Sequence, residues 1–435
     1  ATAALYVMME MNSSQKQTQY LDTTDASMAR EMYFPIRVCT PHQVLRYMLK
    51  GRGWENMLSE FPNSCFIFDE IHSYEPRMTG LIIATAKFCK KMNASVAFIS
   101  ATFPKFLLEL ISNNLDGVHF IRPNENIPSD KEILEKKRHT IEILDGNILS
   151  NFDKIVGTIK KSKNVLVVCN HVPTSQFIYD ELQSRLPEFK EQIILLHSRF
   201  NRKDRTTLEQ KIMNNPPKIL IATQVVEVSL NVDYEEAFFE PAPIDALIQR
   251  MGRVNRFAKN QKFQQSILDN NTTVNVHILK EQVHSYAIYP KVIVQKTLDE
   301  LVGVCGRALS EHELVELADR VYENGYENEE LIEFRQGLEN EDIQDFEEKV
   351  VAGTHRDWIE DVIEKSDQTF DVLPYGDLKK YEDYVNEGLF IEASMLLIPI
   401  HKGTFYKLKQ NQLIVKMEPV VVIRSHYDQN KGLCV

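Results

Sequence analysis

Short runs of apolar, β-branched residues alternate with amphipathic stretches of helical length from about Arg37 to Leu279. Parallel strands need a long crossover connection, so this alternation is typical of βα units on parallel sheets. The span fits two such sheets, and the sequence therefore predicts an α/β fold. We predict strands at Ile36–Cys39, Ser64–Phe68, Ser95–Ile99, Asn164–Val168, Gln192–Leu196, Lys218–Ala222, Ala237–Phe239 and Val274–Leu279.

A chain of 435 residues is too long for one hydrophobic core. Leu144–Asn147 carries a turn signal between the two sheets, and a helix is expected from Ile148 to Lys161. Short β-rich runs near the end of the chain, at Gln412–Val415 and Val420–Ile423, predict a small terminal domain. We expect a partial first sheet domain, a second sheet domain, an acidic helical linker and a small domain with β structure, at residues 1–146, 147–285, 286–370 and 371–435.

The acidic charge is concentrated in one segment of the chain. Net charge is −12, yet residues 311–348 hold fifteen Asp and Glu against two Arg and Lys, a balance of −13. The other residues therefore sum to about +1, and the main body can carry basic grooves for a nucleic acid. The acidic segment itself should repel phosphates.

Cysteine usage and hydropathy bear on the compartment of the protein. The six cysteines form no C-x-x-C pair and lie far apart in the sequence. We therefore expect buried free thiols in a reducing compartment. No apolar run approaches the length that spans a bilayer. We expect a cytoplasmic protein with no membrane partner.

The segment Phe66–His72 is an apolar strand followed by Asp69, Glu70 and His72. Ligands of parallel α/β sheets bind beyond the carboxyl ends of the strands. Two carboxylates there suit Mg²⁺ held by Asp69 and a proton accepted from an attacking water by Glu70. An ordinary Asp-Glu turn is the alternative interpretation.

Ser100 and Thr102 follow the next predicted strand. Their hydroxyls can bond to the carboxylates or the histidine beside them. An N-cap for the helix that starts near Phe103 and Pro104 explains them almost as well.

A third constellation is the segment Gln249–Arg256, with the sequence QRMGRVNR. Its arginines, Arg250, Arg253 and Arg256, recur every three residues, and Gly252 permits close approach of the backbone to an anion. Ordered arginines of this kind are typical of a polyphosphate clamp or an arginine finger. A solvated basic loop is the alternative.

Two further strand ends carry polar residues. Leu196–Arg199 closes one strand, and the segment Ile221–Asp233 contains Thr223, Gln224 and Glu227. These groups can touch a phosphate backbone or, at Asp233, a nucleotide. Each segment alone could be a strand-capping loop.

The order of these segments resembles motifs II to VI of superfamily two helicases of the DExH kind. More narrowly, DEIHSYEP, SATFP, QRMGRVNR and the upstream segment Pro35–Leu45 are similar to the helicase core of the CRISPR-associated helicase-nuclease of type I systems. The resemblance is strong from about Phe34 to Asn260 and loose at His426–Asp428 with Gly432. It implies two tandem RecA-like domains, followed by a helical linker and a small C-terminal domain.

The resemblance also implies roles for individual residues. Asp69 and Glu70 would be the Mg²⁺-binding and catalytic carboxylates, and Gln249, Arg253 and Arg256 would reach the triphosphate of ATP. The remaining nucleotide-binding residues would be His72, Glu227, Asp233, Arg250 and Gly252. Ser100 and Thr102 would couple hydrolysis to motion, and the DNA backbone would be gripped by Thr40, Ser198, Arg199, Thr223 and Gln224.

Two features of the family are missing from the printed residues. There is no G-x-x-x-x-G-K-[ST] loop to cradle phosphates, and no adjacent His-Asp pair of the nuclease type. The segment His355–Asp357 is the most similar to that pair, and we interpret it as a surface group. Because the chain starts at Ala1, we expect a piece of a longer polypeptide, with Ala1–Met11 as a candidate for the helix after the phosphate loop. Truncation, a separate chain for the missing part and a naturally reduced protein stay open.

Three hypotheses follow. The first is an ATP-dependent single-stranded DNA translocase and helicase, recruited by the crRNA surveillance complex to help degrade foreign DNA. The second is a non-catalytic module that binds DNA or a partner, which the missing phosphate loop favours for this chain alone. The third, a DEAH-type RNA helicase, fits the SATFP and QRMGRVNR variants less well.

Overall fold

A computed structural model describes residues 36–48, 59–100, 102–161, 163–228, 230–256, 273–284, 288–341, 343 and 369–435. The chain separates into two compact units. Unit 1 combines residues 1–120 with 324–367, and unit 2 combines residues 121–323 with 368–435. The contacts thus divide the chain at other points than the four segments expected from the sequence, whose boundaries stay a prediction.

Fifteen strands and fifteen α-helices form the described part of the chain. The strands are β1 Cys65–Asp69, β2 Ser95–Ile99, β3 Lys137–Leu144, β4 Val165–Val168, β5 Ile193–Leu196, β6 Ile219–Ala222, β7 Glu236–Phe239, β8 Val274–Leu279, β9 Ala308–Ser310, β10 Thr369–Pro374, β11 Ile398–His401, β12 Ile414–Lys416, β13 Val421–Ile423, β14 Tyr427–Asp428 and β15 Gly432–Leu433. The helices are α1 Pro41–Met48, α2 Pro76–Lys91, α3 Lys105–Asn114, α4 Pro128–Leu134, α5 Phe152–Lys160, α6 Val172–Arg185, α7 Arg202–Asn214, α8 Val225–Val228, α9 Ile244–Met251, α10 Lys291–Val302, α11 Glu311–Val321, α12 Asn328–Leu338, α13 Leu378–Asn386, α14 Phe390–Met395 and α15 Lys402–Gln410.

In unit 1, β1 and β2 pair in parallel, with Asp69 opposite Ile99 at their carboxyl ends. Helix α2 makes the crossover between them, and its residues 78–86, which include Ile82 and Ile83, are buried on all sides of the helix. Phe61 packs against Phe88 of this helix at 5.6 Å between ring centroids. Because both strands end at the same edge, the residues that follow them are neighbours in space.

Helix α12, from the acidic segment, packs against α2 through two glycines. A Cβ built on Gly80 would lie 2.2 Å from the carbonyl oxygen of Phe334, and one on Gly337 would lie 2.1 Å from the carbonyl oxygen of Arg77. No real Cβ tolerates such distances, so the two backbones touch because both residues lack a side chain. Part of the acidic segment is therefore built into the core of unit 1.

Unit 2 contains a seven-stranded sheet in the order β5-β6-β4-β7-β8-β3-β9. All neighbours pair in parallel except β9, which is antiparallel to β3. Alternate residues of the buried strands face two separate cores: Leu166 and Val168 belong to one, and Val165 and Val167 to the other. This is the pattern of a parallel sheet covered on both faces.

The C-terminal residues of unit 2 form a sheet in the order β11-β10-β13-β12 and a short hairpin, β14-β15. They pack against α7, where the guanidinium of Arg202 donates to both carboxylate oxygens of Asp371 at 2.8 and 2.7 Å. Arg202 also donates to the carbonyl oxygen of Ser394 at 2.9 Å. The small β structure expected at the end of the chain is therefore present and docked on the second sheet domain.

The expected α/β class, with tandem RecA-like domains and a final β domain, is confirmed. The strand expected at Ile36–Cys39 is wrong, because among the described residues no strand pairs with it. The helix expected from Ile148 begins at Phe152, after a turn in which Asn147 caps the chain through its side chain. Among the described helices, none is both long and apolar enough to cross a membrane.

Candidate nucleotide and nucleic-acid sites

Glu70 occupies an unusual backbone conformation at the end of β1. Its φ of 51° and ψ of 44° are left-handed, a region that costs a residue with a side chain about 1–2 kcal/mol. Its carbonyl oxygen accepts from the amide and the hydroxyl of Ser73, at 2.9 and 2.8 Å, which closes the 3₁₀ turn Ile71–Ser73. The chain thus turns sharply directly after Asp69, and strained backbone of this kind is concentrated at functional sites.

The two carboxylates have different surroundings. Asp69 is exposed, and its Oδ1 accepts from the amide of Glu70 at 3.0 Å. Glu70 is partly buried, and its Oε2 lies 3.3 Å from Nδ1 of His72 without a hydrogen bond in the described structure. No group of three metal-ligating side chains occurs among the described residues. Exposed carboxylate oxygens fit Mg²⁺ that keeps several waters, so Asp69 suits this ion.

His72 and Ser100 join the ends of β1 and β2. Nδ1 of the buried His72 side chain contacts the hydroxyl of Ser100, and this hydroxyl also contacts the carbonyl oxygen of Thr102. The Thr102 hydroxyl is buried and has no hydrogen-bond partner in the described structure. Of the two hydroxyls predicted to bond beside the carboxylates, that of Ser100 therefore contacts His72, whereas Thr102 joins the group only through its carbonyl oxygen.

Tyr74 lies beside these carboxylates and was not singled out from the sequence. Burial, followed by the negative charges of Asp69 and Glu70, raises the pKa of its hydroxyl. The residue stands within the DEIHSYEP segment, so the motif itself contained the signal. Tyr74 therefore remains protonated next to the carboxylates.

In unit 2, the strands β4, β6 and β7 end side by side, because Val168 pairs with both Ala222 and Phe239. Arg250 of α9 lies among the residues that follow them and is 0% exposed. Its Nε donates to Glu227 at 2.9 Å, and its other nitrogens donate to the Glu240 carbonyl, the Asn170 amide oxygen and the Tyr289 hydroxyl at 3.1, 3.2 and 3.1 Å. Four segments of unit 2 therefore meet at one guanidinium.

This burial corrects the expectation that Arg250 and Glu227 bind the nucleotide directly. The fully buried guanidinium donates four hydrogen bonds to protein groups, and Glu227 is paired with it. Burial raises the pKa of Glu227, and the positive charge of Arg250 opposes that rise. The sequence also gave no signal for Asn170 and Tyr289, which come from distant segments.

Arg253 and Arg256 lie in the loop after α9, which is hydrogen-bonded to the segment that contains Asp233. Arg253 donates from Nε to the Val226 carbonyl oxygen at 2.9 Å, and the amide of Arg256 donates to Oδ1 of Asp233 at 2.7 Å. Both arginine side chains are partly exposed, as is Gln249, whereas Gly252 ends α9 in a right-handed helical conformation. The structure therefore places the second and third arginines of the segment beside Asp233.

His139 of β3 contacts the backbone of the loop that carries Arg253 and Arg256. Its Nε2 lies 2.7 Å from the carbonyl oxygen of Val254, and the Asn255 side chain donates to the carbonyl oxygen of Arg138 at 3.0 Å. Burial lowers the pKa of His139 to about 4, so the ring is neutral at pH 7 and donates one hydrogen. Asn255 itself has a positive φ of 48°, which marks the sharp turn between the two arginines.

The expected DNA-contacting residues of unit 2 follow adjacent strands. Ser198 and Arg199 follow β5, and Thr223 and Gln224 follow β6, whose ends pair at Leu196 and Ala222. Of these four, Ser198 is exposed, Arg199 and Gln224 are partly exposed, and Thr223 is buried. Arg199 contacts the Thr404 hydroxyl at 3.4 Å, and Gln224 donates to the Asn170 carbonyl oxygen at 3.1 Å.

Thr40 lies in unit 1, directly before α1. It is exposed, and its amide donates to Oε1 of Gln43 at 3.1 Å. The candidate residues therefore fall into a unit 1 group, with Asp69, Glu70 and Thr40, and a unit 2 group. Ala1–Met11 and His355–Asp357 lie outside the described residues.

Comparison with known proteins adds a sequence relationship. The family model of the C-terminal part of CRISPR-associated nuclease/helicase Cas3 matches residues 161–259. A putative CRISPR-associated nuclease/helicase Cas3 of Methanocaldococcus jannaschii is 25% identical over 307 residues, 67% of this chain and 39% of that protein. The CRISPR-associated endonuclease/helicase Cas3 of Escherichia coli is 28% identical over 253 residues, 51% of this chain and 28% of that protein. The chain thus spans well under half the length of these relatives.

Solved structures show the same fold. The crystal structure of T. fusca Cas3 superposes with a TM-score of 0.60 and 17% identity, covering 85% of this chain and 53% of that one. A chain of a CRISPR RNA-guided surveillance complex in a pre-nicking state superposes with a TM-score of 0.61 and 16% identity. The match covers 95% of this chain and 63% of that one. At these identities the likeness establishes the architecture alone.

The fold is that of tandem RecA-like domains, and the ordered motifs resemble those of a helicase core. The sequence relatives confirm the narrower resemblance of this chain to the CRISPR-associated nuclease/helicase Cas3.

Proposed function

We propose that this chain is the helicase part of a CRISPR type I interference enzyme, an ATP-dependent translocase on single-stranded DNA. The observation that carries the proposal is the position of the motifs. The carboxylates and hydroxyls of unit 1 follow adjacent strand ends, and the arginines and backbone-binding loops of unit 2 follow strands of one parallel sheet. Ligands of parallel sheets bind at such edges.

Within this proposal each carboxylate of unit 1 has its own task. Glu70 accepts the proton of the water that attacks the γ-phosphate of ATP, since its side chain is 33% exposed and follows β1 directly after Asp69. Asp69 is the residue that would hold Mg²⁺, which supplies charge neutralisation for the phosphates. Ser100 links the His72 ring to the end of β2, so a change at the carboxylates reaches the next strand directly.

In unit 2 the proposal assigns the triphosphate to Arg253 and Arg256, with Gln249 beside them, and the ribose to Asp233. The Val226 carbonyl oxygen holds the Arg253 guanidinium, and His139 and Asp233 fix the backbone at Val254 and Arg256, so the loop is ordered before any ligand arrives. Such preorganised positive charge is what phosphoryl transfer requires. Arg250 acts as the buried support of these residues.

For the nucleic acid we propose sequence-independent contacts to the DNA backbone from Thr40, Ser198, Arg199 and Gln224, whereas the expected contact from Thr223 is not proposed because this residue is buried. Binding of this kind weakens steeply with salt, because counterions are released. Relatives named as CRISPR nuclease/helicases and the similar chain of a surveillance complex support a crRNA surveillance complex as the recruiting partner.

The missing G-x-x-x-x-G-K-[ST] loop favours a second candidate for the printed chain alone, a DNA- or partner-binding module without hydrolysis. Without that loop, no nest of backbone N–H groups cradles the phosphates.

The test measures ATP turnover with and without single-stranded DNA, on the 435 residues and on a polypeptide that also carries a phosphate loop. We expect DNA-stimulated turnover from the longer polypeptide alone, and salt-dependent DNA binding by both. In the longer polypeptide, Arg256→Ala should lower turnover far more than DNA affinity, whereas Arg185→Ala, at an exposed ion pair, should change neither. Stimulated turnover by the 435 residues would refute the expected requirement for a phosphate loop. A longer polypeptide without stimulated turnover would contradict the translocase.

A further inference from the structure

The hairpin at the end of the chain, Tyr427–Leu433, lies directly on the loop that follows β5. The amide of Leu433 donates to the carbonyl oxygen of Arg199 at 2.8 Å, and the Tyr427 hydroxyl accepts from the amide of Asn201 at 3.2 Å. The same hydroxyl donates to Oδ2 of Asp204 at 2.7 Å. The hairpin therefore grips both ends of the segment that contains Ser198 and Arg199.

A buried histidine strengthens this attachment. Nδ1 of His197 accepts from the amide of Arg199 at 3.1 Å, so the hydrogen is on Nε2, which donates to the Lys431 carbonyl oxygen at 3.0 Å. Burial, with the charges of Arg199 and Arg205, lowers the pKa of His197 to about 3. A neutral ring that uses both nitrogens can bridge loop and hairpin without a desolvated charge.

Helix α6 holds the hairpin from the other side. Nε2 of Gln176 donates to the carbonyl oxygens of Lys431 and Leu433, at 2.8 and 3.2 Å. The Lys431 ammonium pairs with Asp180 at 2.6 Å, two side chains that are 31% and 53% exposed. The hydrogen bonds to the main chain of the hairpin therefore contribute most to its attachment, because an exposed ion pair adds little stability.

Gly432 is the point of closest approach. Its φ is +68°, and a Cβ built on it would lie 2.7 Å from both the Arg199 carbonyl oxygen and Cε1 of His197. Gly388, in the same C-terminal part, has a φ of +76° with nothing within 4 Å of its Cβ position. The two glycines share the left-handed conformation and differ in the contact with the β5 loop.

We propose that the hairpin Tyr427–Leu433 is a positioning element for the loop His197–Arg199, fixing its backbone so that the exposed Ser198 meets a DNA phosphate. The proposal rests on the proposed DNA contacts and names the part of the fold that orders them. The hairpin leaves Ser198 exposed while it binds the residues on both sides.

The experiment uses the 435-residue chain and fluorescently labelled oligothymidine, with affinity measured by anisotropy at low salt. Gly432→Ala should weaken binding about tenfold, whereas Gly388→Ala, which carries the same backbone cost, should change it less than about twofold. In a Ser198→Ala background the effect of Gly432→Ala should shrink to that of the control, because contacting residues are not additive. Gln176→Leu, which loosens the hairpin without entering the loop, should resemble Gly432→Ala.

Hydrogen exchange of the peptide covering residues 196–203 provides a readout that needs no DNA. Faster exchange in Gly432→Ala and Gln176→Leu, but not in Gly388→Ala, supports the positioning role. Equal exchange in all variants overturns it, as does an equal loss of affinity with and without Ser198. If the unmodified chain binds no oligothymidine, the proposed DNA function fails, and the exchange comparison still decides whether the hairpin orders the loop.

Discussion

Arg250 and Glu227 form a hydrogen-bonded ion pair, 2.9 Å from Nε to Oε1, with the arginine fully enclosed and the glutamate side chain 12% exposed. The pair joins helix α9, which carries the arginine segment, to helix α8, which follows the proposed DNA loop after β6. The two loops are therefore tied to one ion pair, and separating it would leave a largely buried carboxylate without its partner.

Arg250→Met should destabilise unit 2 strongly. It removes the partner of a buried carboxylate, and such losses cost about 3–5 kcal/mol. We expect a large drop in the melting temperature, measured by calorimetry or circular dichroism. Arg185→Met is the matched control, because its partner Asp153 is 93% exposed and an exposed pair contributes about 1 kcal/mol or less. Similar drops in the two variants would show that the buried pair is not a special support.

Glu70→Gln should leave ATP binding intact and slow hydrolysis about 100-fold or more in a polypeptide that carries the phosphate loop. The amide keeps the shape of the side chain but accepts no proton from water. Steady-state turnover and nucleotide affinity are the measurements, with the exposed Glu109→Gln of the same unit as control. Unchanged turnover would remove Glu70 from the proposed chemistry.

Gly337→Ala should separate α12 from α2. The added methyl group would stand 2.1 Å from the Arg77 carbonyl oxygen, a backbone atom that cannot turn away, and overpacking of this kind costs about 1–3 kcal/mol. Gly157→Ala, in helix α5 with nothing within 4 Å, should instead be neutral or stabilise by up to about 1 kcal/mol. Thermal unfolding of the two variants distinguishes these outcomes. Equal stability would mean that the glycine crossing is not a tight contact.

Acid should destabilise unit 2 through His197. Its pKa falls from 6.5 in the unfolded chain to about 3 in the fold, so the unfolded chain binds more protons between these values. Stability that is present above pH 6.5 is therefore lost as the pH falls through this window. His197→Gln should reduce the loss of melting temperature between pH 7.5 and 5, whereas the exposed His312→Gln should not. The same acid response in both variants would exclude His197 as a cause.

The regular part of the fold was predictable where apolar residues run without interruption. Strands β4, β5 and β6 consist of apolar residues alone and end where the sequence predicted, at Val168, Leu196 and Ala222. Strand β3, Lys137–Leu144, was not predicted, because charged and polar residues interrupt it. The structure accommodates His139 there through a carbonyl oxygen more than a hundred residues away, at Val254. Local patterns contain no information about such a partner.

The candidate site shows the same limit. Three arginines at regular spacing look equivalent in the sequence, yet the structure turns Arg250 inward and leaves Arg253 and Arg256 partly exposed. The difference comes from Asn170, Glu227 and Tyr289, which the fold assembles from separate segments. By contrast, the contact between His72 and Ser100 follows from the order of adjacent strand ends, and the sequence predicted it.

The glycine crossing between α2 and α12 also sets an order of folding during synthesis. Gly80 leaves the ribosome early, but its backbone partner at Gly337 follows only after all the strands of the seven-stranded sheet. At about 5–20 residues per second, the nascent first unit waits many seconds with the surface around Gly80 uncovered, while the whole central sheet is already available to fold. The seven-stranded sheet of the second unit can therefore fold before the first unit is complete, and the uncovered surface around Gly80 is where a chaperone would be expected to bind the growing chain.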